Sequence, residues 1–73
     1  MEANEFYKYF KWCNDNEIKI VVLPIGAKYI LCVFNNGEEI KGETKYEPNP
    51  KLNEVNYGDA IRNLYKQYYL LNN

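Results

Sequence analysis

A chain of 73 residues, 47% hydrophobic and 16% aromatic, is sized for one small domain and is too apolar to remain disordered. Its formal net charge of -1 excludes a whole-protein field strong enough to draw in nucleic acid or an acidic membrane. With no serine, no histidine and one threonine, Thr44, it also excludes hydroxyl triads and Cys-His dyads.

Residues 5–14, "EFYKYFKWCN", set Phe6, Tyr9, Phe10 and Cys13 at i, i+3, i+4 and i+7, one face of a helix, with Lys8 and Lys11 opposite. Asn4 is the expected N-cap, and Tyr7 and Trp12 flank the apolar stripe. "CNDNE" ends the helix. "EIKIVVL" then reads as a strand with Ile18, Ile20 and Val22 on one side and Lys19, Val21 and Leu23 on the other, punctuated by Pro24 and Gly26. Residues 28–35 form a second strand. Asn36-Gly37 closes a hairpin because a type I′ turn needs positive φ at both central residues, and Glu38 to Tyr46 is the third strand.

The two-residue turn fixes the expected register: Phe34 opposite Glu39, Val33 opposite Ile40, Cys32 opposite Lys41, Leu31 opposite Gly42, and Ile30 opposite Glu43. One side then carries Tyr29, Leu31, Val33, Ile40 and Thr44, the natural surface for helices. The other carries Ile30, Cys32 and Phe34 beside Glu39, Lys41, Glu43 and Lys45. "EPNPKLNEVN" is a loop, Asn53 or Asn56 caps the last helix, and Asp59 suits its first turn. Tyr57, Ala60, Ile61, Leu64, Tyr68 and Leu71 make that helix's apolar stripe. The expectation is a single α+β domain over residues 1–73: helix, three-stranded antiparallel meander, helix (αβββα).

Little chemistry is written into these residues. Glu39 and Glu43 form the one carboxylate pair that sequence spacing suggests, but both fall on a charged surface, where neither gains the burial that raises a general acid's pKa. No phosphate loop or dinucleotide fingerprint occurs. Cys13 and Cys32 lack a CxxC or a histidine and read as reduced, packed thiols on different sides of the sheet, so neither a metal nor a cofactor is expected. The reading is a non-enzyme. No apolar run spans a bilayer, and the N-terminal residues lack a secretory pattern, so a cytoplasmic protein is expected.

Helix, three strands, helix is also the order of double-stranded RNA-binding domains, which this chain resembles in order. Where that family presents lysines at the start of its last helix, the stretch here reads "VNYGDAIRN", with Asp59 and then Arg62, so direct nucleic-acid binding is disfavoured. Such binding would fall to Lys8, Lys11 and Arg62.

What remains is the Ile30/Cys32/Phe34 side, an apolar centre inside a charged rim. It is a protein-docking patch, a face covered by a crossing helix, or a surface used for a homodimer. Trp12, with Tyr65, Tyr69 and Leu70, makes a second candidate patch. The element order and the "NNGEE" stretch resemble small phage proteins that disarm host defence, the anti-CRISPR proteins especially. That resemblance implies a stoichiometric inhibitor of a host protein, with acidic Glu38, Glu39, Glu43 and Glu47 covering a basic site. Ile30 and Phe34 would be its anchors, Lys41 part of its rim and Trp12 an accessory contact.

Overall fold

The computed structural model describes residues 2–73. Helix α1 is Ala3–Asp15, strands β1, β2 and β3 are Ile18–Ile25, Lys28–Asn35 and Glu38–Lys41, a short 3-10 turn spans Pro50–Leu52, and helix α2 is Tyr57–Asn72. The sheet is antiparallel in the order β1-β2-β3, so the architecture is αβββα as expected.

Helix α1 starts two residues earlier than its periodicity indicates. Glu2 is its N-cap residue without a side-chain cap, and Asn4 lies inside the first turn rather than capping it. Its end is set by Glu17, which holds a left-handed φ of 59° while its carbonyl accepts the Asn36 N–H. In α2, Asn56 is the cap, its Oδ1 accepting the Gly58 N–H at 2.7 Å. Asn53 instead clamps the loop, accepting the Glu47 N–H and donating to the Glu47 carbonyl.

Both hairpin turns use the residues that their geometry demands. Asn36 and Gly37 have φ of 53° and 87°, the double positive φ of a type I′ turn, and Gly26 holds +60° in the turn joining β1 to β2. Pro24 does not end β1: the strand runs through it to Ile25. Ile20 shows why this is tolerated. Its N–H points away from β2, to the Tyr65 hydroxyl, and in an antiparallel ladder Pro24, four residues on, faces the same outer edge, where no donor is needed.

Both helices pack on one side of the sheet. Tyr9 and Cys13 from α1, Ile18 and Ile20 from β1, Val33 from β2 and Tyr65 from α2 form the core, with Phe6, Trp12, Ile61, Leu64, Tyr68 and Tyr69 against it. This is the Val33 side, as the alternation implied, but the helices lie chiefly against β1, reach β2 at Val33 and leave Ile40 43% exposed.

The stripe expected on α2 is rotated. Leu71 is 80% exposed and Tyr65 is buried, because α1 lies alongside and offers its own aromatics to that flank. Phe6 and Phe10 meet Tyr65 edge-on with centroids 5.9 and 5.3 Å away, and Tyr9 and Trp12 meet Tyr69 at 5.1 and 5.8 Å. The patch expected from Trp12, Tyr65 and Tyr69 is therefore the seam between the helices.

The third strand is the largest departure. It stops at Lys41 instead of continuing to Tyr46. Gly42 still donates to the Leu31 carbonyl at 2.8 Å, but residues 43–45 then arch out of the sheet, and Tyr46 returns to exchange both backbone bonds with Tyr29 at 2.8 and 2.7 Å. A continued hairpin would have set Thr44 opposite Tyr29. The pairing of Ile30 with Glu43 is consequently absent.

Candidate partner-binding face

Strand alternation and the two hairpin registers decide which side chains share the face turned away from the helices. The rows across it are Lys19–Phe34–Glu39, Val21–Cys32–Lys41, Leu23–Ile30 and Ile25–Lys28. Among the described residues no helix lies on this side, since the core residues of both helices belong to the opposite one. Ile30 and Cys32, on the central strand, are nonetheless 5% and 0% exposed, shielded by cross-strand neighbours. Phe34, Val21 and Leu23 are half-buried, and Ile25 is exposed. The face is thus an apolar strip with buried Ile30 and Cys32 at its centre, half-buried Phe34 toward the Asn36-Gly37 turn and exposed Ile25 at the other end.

Of the residues singled out by sequence, the fold brings Ile30, Phe34, Glu39 and Lys41 together here. Glu38 pairs with Asn35 and, by alternation, faces the helix side. Glu43 is the clear correction: it leaves with the arch and lines an open groove between α2 and the sheet, beside Leu31, Ile40, Leu64 and Tyr68. Lys45 goes with the same arch, next to Tyr46 and Leu52. Glu47 sits at the end of β2, ion-paired with Lys28 at 3.1 Å. Trp12 belongs to the helix layer, on the far side of the sheet.

These shifts change the electrostatics. The acidic edge expected from Glu39 and Glu43 does not exist on this face; its rim holds Lys19 and Lys41 against Glu39, with Lys28 paired to Glu47. Lys19, Lys28, Val21, Leu23 and Ile25 were not among the expected contacts. The signal for them was present in the two-residue Gly26-Ala27 turn, which fixes the β1 register as firmly as Asn36-Gly37 fixes that of β3.

The chemistry of the face is quiet. Cys32 Sγ lies 3.6 Å from Glu39 Oε1, and burial, with that carboxylate's help, pushes its thiol above the ordinary range. Burial does the same to Cys13, whose Sγ contacts the Tyr65 carbonyl at 3.5 Å on the other side of the sheet. Both cysteines are free thiols. Among the described residues no group of three His, Cys, Asp or Glu side chains is placed to hold a metal ion, and no helix is long and apolar enough to cross a membrane.

Three of the four basic residues of the helices are occupied, and Lys66 alone has neither an ion-pair partner nor an aromatic ring beneath it among the described residues. Lys11 is 2.6 Å from Asp15, Arg62 is 2.6 Å from Asp59, and Lys8 lies 5.1 Å above the Tyr69 ring. No family model, no curated protein and no solved structure matches this chain.

Proposed function

We propose that this domain is a non-enzymatic protein-binding module, a phage or mobile-element inhibitor that acts in the host cytoplasm by covering a site on a host-defence protein. The observation that supports this reading is the uncovered sheet face, with half-buried Phe34 in line with buried Cys32 and Ile30 inside a charged rim. A partly accessible aromatic within an apolar patch is a usual interface anchor, and a ring of charge around it favours one orientation of approach.

The rim sets the chemistry of the partner. With Lys28 held by Glu47, Lys19 and Lys41 against Glu39 leave a small positive excess, which suits a partner pocket bordered by carboxylates, the reverse of the basic target that the acidic "GEE" stretch suggests. The same lysines with one aromatic on a sheet would also suit single-stranded nucleic acid, which provides the competing outcome.

The test is capture from host lysate by wild type and by Phe34→Ala, followed by direct binding of the captured protein to both, with a mobility shift on RNA and DNA run beside it. Loss of binding in Phe34→Ala, with a melting shift of less than about 10 °C, supports docking through this face. A collapsed thermal transition would make Phe34 a core residue, and a nucleic-acid shift without protein capture would replace this reading with its competitor.

A further inference from the structure

The two edges of this sheet are not equivalent. At β1, the outward Ile20 N–H is already taken by Tyr65, and Pro24 removes another donor, so the edge is closed to strand addition. At β3, the Gly42 to Leu31 bond marks the pairs of Leu31 with Gly42 and of Val33 with Ile40 as the bonded ones. Glu39 and Lys41 belong to the alternate pairs. Their N–H and C=O groups therefore point outward, on a strand whose four residues are all exposed.

We infer that β3 is a self-association edge and that its occupant is the β3 strand of a second copy of this chain. Laid antiparallel on itself about a two-fold axis at Ile40, the strand sets Ile40 against Ile40 and Glu39 against Lys41 of the second copy, twice. The outward backbone groups fall in register for four hydrogen bonds, the two side-chain pairs carry opposite charge, and the half-exposed Ile40 side chains meet on the helix side. Neither Glu39 nor Lys41 has an ion-pair partner within the described residues.

The register is specified by repulsion as well as attraction. A slip of two residues one way opposes Glu39 to its own copy, and the other way opposes Lys41 to its own, while the departure of the chain at Gly42 removes any longer overlap. Charges on an edge strand ordinarily keep strands away. Two of opposite sign, two residues apart, make this edge complementary to itself. The product is a six-stranded sheet with two Phe34 residues on one continuous face; its formation does not depend on what that face binds.

The experiment is solution mass by sedimentation from about 10 µM to about 1 mM, the range in which pairs of modest strength assemble. Wild type rises from monomer to dimer. Glu39→Lys and Lys41→Glu each place like charges in both pairs and weaken the dimer about tenfold or more, an equal mixture of the two restores it as a heterodimer, and Phe34→Ala leaves it unchanged. A second variant, Lys41→Pro, removes an outward donor without touching the ladder to β2 and gives a monomer whose circular dichroism matches wild type. A wild type that stays monomeric throughout overturns the inference. So does a dimer indifferent to the charge reversals, or one that Phe34→Ala abolishes.

Discussion

The Tyr65 hydroxyl on α2 accepts the backbone N–H of Ile20 at 3.2 Å, so one phenol both fills the core between the helices and closes an amide at the sheet edge. Tyr65→Phe keeps the ring and strands that amide in a buried setting. The expected cost is about 1–3 kcal/mol, read as a lower urea midpoint with an unchanged slope.

Glu17 bears a side chain at a left-handed backbone position where the chain turns from α1 into β1. Its side chain is exposed and makes no hydrogen bond or ion pair among the described residues, so removing it forfeits little. Glu17→Gly is expected to raise stability by about 1 kcal/mol in thermal melts, less whatever entropy the freer unfolded chain regains. An unchanged or lower midpoint would contradict the assigned turn.

At Gly42 the opposite holds. A Cβ there would stand 2.8 Å from the Leu31 carbonyl oxygen, a backbone atom that cannot swing aside. Gly42→Ala should cost about 1–3 kcal/mol and loosen the Tyr29–Tyr46 bridge beyond it, visible as faster amide exchange at Tyr46 than at Ile20.

The two buried thiols predict a pH effect of fixed sign. Their folded pKa values are raised, so the unfolded chain gives up its protons first. Stability should be flat below the ordinary thiol range near about 8.5 and fall as pH rises above it, and the fall should shrink in Cys13→Ala. Alkylation of native protein at pH 8 should be slow at both positions. A Cys13–Cys32 bridge under mild oxidation would contradict their placement on opposite sides of the sheet.

Much of the fold was legible because short-range rules agree with one another here. Asn36-Gly37 dictates its turn, the β-branched runs dictate strands, and the alternation around Val33 marks the helix side correctly. The site was less legible. Nothing in "KGETKY" announces that the chain leaves the sheet at Gly42, since the hairpin register alone continues happily to Thr44; the cause is the return of Tyr46 to Tyr29, fixed by the loop that Asn53 clamps. That one arch takes Glu43 and Lys45 together off the face, and the charges that remain on its rim come largely from β1 and β2. Likewise, the rotation of α2 toward Tyr65 depends on the aromatics of α1, more than forty positions away, which no single-helix periodicity contains.

The arch itself is held at both ends by its own hydrogen bonds, Gly42 to Leu31 on one side and Tyr46 to Tyr29 on the other. Residues inserted between Glu43 and Lys45 would lengthen it without shifting the register of either anchor, and lengthening a loop costs little. The domain therefore carries one site where its length can drift while its sheet stays fixed. Sequence variants of this chain should differ in size there first, and a foreign peptide grafted at Thr44 would be displayed beside the α2 groove on an intact scaffold.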